Sequence, residues 1–198
     1  MAPQSITAYF DYKSPFAYLA KDLAYQLAGE CNVSIDWLPY TLNIPEFLGD
    51  VETRGENDWA KIKYLYMDAR RLANKRGLIV RGPQKIFDTL AANIGMLYAE
   101  GQGKLRPYHD LVFERFFLRE FLDIEQPAAV QQVLQECGVD ASGYPDFLAG
   151  AGREMHDRIL AEARAMGVFG VPTFVWEGEM FWGTDRMDML RERIAESA

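Results

Sequence analysis

Alternating and helical patterns define the first part of the chain. Residues Ser5–Tyr12 are rich in aromatic and β-branched side chains and predict a buried strand. Pro15–Ala28 carries apolar residues at helical spacing, and Gly29 is expected to close that helix. Val33–Leu38 alternates apolar and polar residues, as a second strand does. Together they predict a strand–helix–strand unit with parallel strands.

The long middle of the chain has no strand pattern and predicts helices. They are expected at Trp59–Lys75, Phe87–Ala99, Tyr108–Phe121, Pro127–Cys137 and Arg153–Met166. Glycine and proline separate these segments, which show no internal repeat. We therefore expect an all-helical block.

Strand patterns return at the end of the chain. Thr173–Trp176 and Met180–Trp182 predict a hairpin that turns through Glu177–Gly178. A last helix is expected over Arg186–Glu196, with Thr184 or Asp185 as its N-cap.

The element order predicts an α/β fold, a β-α-β … β-β-α domain with a large all-helical insertion. Residues 1–45 and 167–198 are expected to form the discontinuous α/β domain, and residues 46–166 the insertion. This is the order of a thioredoxin-like domain.

Composition limits the kinds of partner and site that the protein is expected to have. The 198 residues carry a net charge of -8 and show no basic stripe, which argues against nucleic acid as a partner. No leader pattern occupies the first residues, and no stretch is apolar enough for a membrane span, so we expect a soluble, cytoplasmic protein. Cys31 and Cys137 predict buried, reduced thiols, and the isolated His109 and His156 predict no metal site.

The turn after the first strand carries the most informative chemistry. Ser14 precedes Pro15 at the start of the first helix, where free backbone amides stabilise an anion. A cysteine there would ionise to a thiolate, whereas serine does not, so a disulfide oxidoreductase is excluded. Such a site is expected to take a thiol from a ligand, and glutathione is the obvious candidate. The simpler alternative is that Ser14 only caps the helix, and Lys13 is expected to face solvent.

Two more turns are expected at the same end of the sheet. Pro172 follows Val171 directly before a strand, and such a bond adopts the cis form at a cost of about 0.5–1 kcal/mol. Gly183, after the last strand, would let a ligand approach the backbone, and the amides of Thr184 and Asp185 suit a carboxylate. Each turn has a structural alternative, a strand start or a helix cap. Their combination favours a glutathione site.

These motifs, together with Lys61 and Tyr64 in the helical block and Phe181–Arg186, resemble the 2-hydroxychromene-2-carboxylate isomerases. That family is glutathione-dependent and is related to kappa-class glutathione transferases and, more distantly, to DsbA-like oxidoreductases. The resemblance extends over nearly the whole chain. It departs at residues 183–186, which read Gly-Thr-Asp-Arg where the isomerases usually have Gly-Asn-Asp-Arg.

The resemblance implies a role for each motif. Ser14, the catalytic residue, would hold the glutathione sulfur beside Pro15, and Val171 would pair its backbone with the tripeptide next to a cis Pro172. The γ-glutamyl end would lie against Trp182, Gly183, Thr184 and Asp185. Asn43, Asn57 and Lys61 would contact an aromatic carboxylate substrate.

The implied reaction interconverts 2-hydroxychromene-2-carboxylate and trans-o-hydroxybenzylidenepyruvate, in aromatic hydrocarbon catabolism, through transient addition of a thiolate. A homodimer is expected by the same resemblance. Two alternatives stay open: a kappa-like glutathione transferase or peroxidase, and a non-catalytic thioredoxin-fold binding module.

Overall fold

The computed structural model describes residues 4–121 and 123–197. Four strands form the sheet: β1 (Ser5–Phe10), β2 (Ser34–Pro39), β3 (Thr173–Trp176) and β4 (Glu179–Trp182). The helices are α1 (Pro15–Cys31), α2 (Ile44–Leu48), α3 (Glu56–Lys75), α4 (Leu90–Glu100), α5 (Leu105–Leu118), α6 (Pro127–Glu136), α7 (Tyr144–Ala149), α8 (Ala151–Ala165) and α9 (Met187–Ser197). Among the described residues, no helix combines the length and the apolar character that a membrane crossing requires.

The sheet brings four chain turns to one edge. Its strand order is β2-β1-β3-β4; β1 and β2 run parallel, and β3 is antiparallel to both β1 and β4. The hairpin turns through Glu177 and Gly178, whose φ values of 49° and 85° give the twist that a two-residue hairpin needs. The ends of β1, β2 and β4 therefore meet the start of β3 at the same edge.

Helix boundaries depart from the sequence prediction by up to three residues at α3, α4 and α5, and two further departures have a clear physical cause. Gly29 does not end α1; the helix continues to Cys31, and Asn32 ends it in the left-handed conformation, with a φ of 53°. A glycine inside a helix costs only about 1 kcal/mol relative to alanine, and Leu27 anchors this turn of the helix in the core. The sequence also missed α2 and α7, since helices of 5 and 6 residues are too short to show a periodic pattern.

An aromatic cluster joins the sheet to the helical block. The ring of Phe10 on β1 lies 5.1 Å from Tyr12 and 4.4 Å from His109 of α5, both in edge-on geometry. His109 and His156 are both buried. The two cysteines are half-buried, so the prediction that they are buried was wrong.

The buried histidines predict that acid destabilises the fold. Burial lowers the pKa of His109 well below its ordinary 6.5 and also lowers the pKa of His156. Below pH 6.5 the unfolded chain therefore binds protons that the folded chain does not, so stability is lost as pH falls. The limiting slope is about 1.4 kcal/mol per pH unit for each histidine.

Urea unfolding between pH 7.5 and pH 5.5 would measure this loss. We expect His109→Phe to flatten the dependence of the free energy of unfolding on pH, whatever its effect on stability at neutral pH. An unchanged slope in His109→Phe would show that His109 is not held neutral in the folded state.

Candidate active site

Ser14 lies where α1 begins, and its hydroxyl faces the loop before β3. It is the N-cap of α1, and its Oγ accepts a hydrogen bond from the backbone N–H of Ala17 at 3.2 Å. The same hydroxyl donates to the backbone carbonyl of Val171 at 3.2 Å, and the Val171–Pro172 peptide is cis. Ser14 is 5% exposed. The hydroxyl therefore lies at the positive end of the α1 dipole and donates its hydrogen to the loop on the other side of the site.

Asp11 fixes the loop that carries Ser14. Its carboxylate is fully buried and accepts hydrogen bonds from the backbone N–H of Leu42 at 2.7 Å and from the Thr89 hydroxyl. The backbone carbonyl of Asp11 accepts the N–H of Ser14 at 3.0 Å. One residue therefore ties the β1–α1 turn to the β2–α2 loop and to the start of α4.

Lys13 provides the charge that compensates Asp11. Its Nζ lies 3.4 Å from Asp11 Oδ2 and donates to the carbonyl of Phe87 at 3.3 Å. The side chain is only 9% exposed, so the prediction that Lys13 faces solvent was wrong. The buried carboxylate holds the cation inward, because an unpaired charge at that depth would cost several kcal/mol.

The turn after β4 lies beside the Ser14 site. Gly183, with a φ of 107°, donates its N–H to the carbonyl of Pro172 at 2.9 Å. The Thr184 hydroxyl donates to the carbonyl of Phe16 at 2.8 Å and so attaches this turn to α1. Asp185 is exposed and pairs with Arg186 at 2.8 Å. This turn is therefore fixed both to α1 and to the cis-proline loop.

The prediction that Thr184 or Asp185 caps the last helix was wrong. Residues Thr184–Arg186 form a 3-10 turn, and α9 begins only at Met187. Since Thr184 and Asp185 are the first residues of that turn, their amides precede its first internal hydrogen bond. The two N–H groups thus lie at the end of the turn that a carboxylate would approach.

The structure brings some of the predicted site residues together and leaves others apart. Hydrogen bonds connect Ser14, Val171, Pro172 and Gly183, and Pro15 continues directly from Ser14 into α1. Two other predicted contacts, Asn57 and Lys61, lie on the exposed part of α3.

Lys61 pairs with Asp58 of the same helix at 3.4 Å, and its side chain is 74% exposed. Among the described residues, no hydrogen bond or ion pair connects either Asn57 or Lys61 to Ser14.

Asn43 lines a cavity at the same edge of the sheet. It is the N-cap of α2, and its side-chain amide donates to Glu46 Oε2 at 3.3 Å. The cavity has a volume of about 530 Å³, and Phe47, Arg164 and Phe169 also line it. The ring of Phe169 packs on Trp182 with centroids 4.8 Å apart. The cavity and the turn after β4 therefore share a wall.

Sequence reasoning missed Asp11 and Thr89 as residues that build the site. The signal for Asp11 was a lone carboxylate among aromatic residues where β1 ends, as in Tyr-Phe-Asp-Tyr. A charge there is buried only when it has partners. Thr89 gave no signal, because its partner lies 78 positions away.

Chemically, the arrangement suits an anionic atom placed beside the Ser14 hydroxyl, next to the cis-proline loop. The hydroxyl offers a hydrogen bond, and α1 offers the positive end of its dipole. In its first turn Pro15 has no N–H and the Ala17 N–H already donates to Ser14 Oγ, so the hydroxyl is the main donor there. Within the site, Cys31 and Cys137 play no part: Cys31 ends α1 and Cys137 follows α6. A reacting thiol would have to come with a ligand.

Comparison with known proteins identifies relatives along the whole chain. Residues 5–195 match the family described as DSBA-like thioredoxin domain. The 2-hydroxychromene-2-carboxylate isomerase of Pseudomonas putida is 32% identical over 190 residues, which cover 94% of this chain and 92% of that protein. The enzyme of that name from Sphingobium xenophagum is 27% identical over 197 residues, 98% of this chain and 99% of that protein.

A solved structure of a 2-hydroxychromene-2-carboxylate isomerase has the same architecture. It superposes with a TM-score of 0.80 at 30% sequence identity, and the alignment covers 97% of this chain and 95% of that one. The similarity therefore includes both the sheet and the helical block.

Proposed function

Because this chain belongs to the 2-hydroxychromene-2-carboxylate isomerases, within the DSBA-like thioredoxin family, we propose that it is a glutathione-dependent isomerase. It would interconvert 2-hydroxychromene-2-carboxylate and trans-o-hydroxybenzylidenepyruvate. Membership confirms two predictions from the sequence, the thioredoxin-like fold with a helical insertion and the isomerase class of enzyme.

The hydrogen bond between Ser14 and Val171 carries the proposal. A peptide thiol needs a donor for its sulfur and a backbone acceptor for its own N–H. Here the Ser14 hydroxyl and the Val171 carbonyl are 3.2 Å apart and satisfy each other. This hydrogen bond supports the proposal, because glutathione would take over both groups without leaving either one unpaired.

Ser14 would exchange its partner when the tripeptide binds. Its hydrogen would turn from the Val171 carbonyl to the sulfur, and that carbonyl would accept the peptide N–H instead. Hydrogen bonds to charged groups contribute about 1.5–3 kcal/mol, more than neutral ones, so the exchange favours the thiolate. Ala17 would go on donating its N–H to Oγ, which keeps the hydroxyl in place.

Bound glutathione would supply a thiolate that adds reversibly to the conjugated carbon of the open-chain form, so that the double bond becomes single and can rotate. The protein's task is to hold that sulfur deprotonated and to orient the acceptor. The turn after β4 would bind the γ-glutamyl end, with the amides of Thr184 and Asp185 on its carboxylate and Trp182, 45% exposed, beside it.

The aromatic acceptor would occupy the cavity that Asn43 lines. Phe169 belongs to that cavity and stands two residues before Val171, so the acceptor would lie next to the sulfur. Asn57 and Lys61 are both exposed on α3, and as the resemblance implies they would contact the aromatic carboxylate substrate once it is bound.

Calorimetry with reduced glutathione and with S-methylglutathione, combined with an absorbance assay of chromene opening, tests this function. We expect both peptides to bind, but only the free thiol to support turnover, without loss of thiol over many cycles. Consumption of the thiol would indicate the kappa-like transferase or peroxidase instead. A protein that isomerises without glutathione, or that binds neither peptide, would contradict the proposal.

A further inference from the structure

The cavity beside the Ser14 site is built from two loops that are fixed to each other. One is the β2–α2 loop with Tyr40, and the other is the α8–β3 loop with Val168. The Tyr40 hydroxyl donates to the carbonyl of Val168 at 3.1 Å. Asp11 holds the first loop through the N–H of Leu42. These contacts preform the cavity, whose 530 Å³ lies within the range of small-molecule sites.

Two of the three aromatic rings that line this cavity are more exposed than core aromatic residues. Phe47 is 38% exposed and Phe169 is 53% exposed. A side chain at Gly170 would have its Cβ 3.4 Å from the Phe47 ring and 2.9 Å from Trp182 Nε1. The glycine thus lets these rings approach one another. Exposed rings around a preformed cavity suit a flat apolar ligand.

The charged residues that line the cavity, within the described chain, are one cation and one anion. Arg164 of α8 and Glu46 of α2 face each other, with 3.7 Å between a guanidinium nitrogen and Oε2. The pair is long, and the side chains are 50% and 68% exposed. Such a pair contributes at most about 1 kcal/mol, so a ligand can replace one partner at little cost.

We propose that Arg164 is the specificity-determining residue that binds the carboxylate of the aromatic acceptor, and that Glu46 competes with that carboxylate for the guanidinium. This inference rests on the proposed function and adds the recognition of the acceptor's charge. The ring of the acceptor lies between Phe47 and Phe169, and its carboxylate takes the place of Glu46 on Arg164. A guanidinium binds a carboxylate with two parallel hydrogen bonds, which its present distance from Glu46 does not allow.

Binding of 2-naphthoate without glutathione isolates this site from the thiol chemistry. The probe is a flat bicyclic carboxylate without an electrophilic carbon, and 2-naphthamide is its neutral counterpart. We expect Arg164→Met to weaken 2-naphthoate binding about tenfold and Glu46→Gln to tighten it about three- to fivefold, with little change for the amide. Arg158→Met, an exposed arginine on the same helix, is the matched control.

The expected increase in affinity of Glu46→Gln for 2-naphthoate distinguishes the inference from misfolding, because a damaged fold would not bind the probe more tightly. Equal affinity of wild type and Arg164→Met for 2-naphthoate would overturn the inference. An equal loss of affinity for 2-naphthamide in Arg164→Met would also overturn it, because the neutral amide carries no charge for Arg164 to bind. A failure of glutathione to bind would instead leave the naphthoate result intact, so the two proposals fail separately.

Discussion

Ser14→Ala is expected to lower kcat/KM for 2-hydroxychromene-2-carboxylate about 100-fold in the presence of saturating glutathione. The substitution removes a donor aimed at an anionic atom, and such a donor contributes about 2.7–4 kcal/mol in comparable sites. It also removes the cap of α1, which costs about 1 kcal/mol of stability. Steady-state kinetics measures the first effect and urea unfolding the second.

The pKa of the bound thiol separates these two effects. We expect the ultraviolet absorbance of the bound thiolate to titrate about one to two pH units higher in Ser14→Ala than in wild type, since each unit corresponds to about 1.4 kcal/mol. Ser14→Gly keeps most of the capping stability and should show the same shift. Ser142→Ala, in an exposed turn of the helical block, is the control. Turnover within a factor of three of wild type in Ser14→Ala would contradict the assigned role.

Much of the fold could be predicted from the sequence because its strong signals are local. The bounds of β3 agree with the prediction, and those of β1 and β2 agree within two residues, because aromatic and β-branched runs end at clear turns. The end of α1 was misplaced because Gly29 looked like a stop, while the residue that stops the helix is Asn32. Local patterns do not show which of two permissive residues adopts the left-handed conformation.

The site was predictable only where it consists of turns. Ser14 and the Val171–Pro172 bond are marked by their own neighbours in the sequence. In the structure, 3.2 Å separates Ser14 Oγ from the carbonyl oxygen of Val171. Asp11 was not predicted, because what makes it important is its partners Leu42 and Thr89, which lie 31 and 78 positions away. Burial of a charge depends on which distant segments pack against it, and no pattern in one segment carries that information.

Asp11→Asn is expected to lower the free energy of unfolding by about 3–5 kcal/mol, the usual range when one partner of a buried pair is removed. The amide has almost the shape of the carboxylate, so the loss would come from charge and hydrogen bonding. Lys13 would keep a nearly buried cation without its anion. The new NH₂ group would also face the Leu42 N–H or the Thr89 hydroxyl, where the carboxylate oxygens accept hydrogen bonds. Urea unfolding at pH 7 measures the effect.

A double-mutant cycle with Lys13→Met shows whether the ion pair or the hydrogen bonds dominate. If the uncompensated cation is the main cost, Asp11→Asn combined with Lys13→Met should be more stable than the sum of the single losses by about 1–3 kcal/mol. Asp188→Asn, whose carboxylate pairs with Arg191 but is 88% exposed, should change stability by less than about 1 kcal/mol. An effect of Asp11→Asn as small as that of Asp188→Asn would show that Asp11 does not hold the two loops together. A large effect that is strictly additive with Lys13→Met would assign the cost to the Leu42 and Thr89 contacts. These contacts join the Ser14 turn to the wall of the cavity, through Leu42, and to the start of α4, through Thr89.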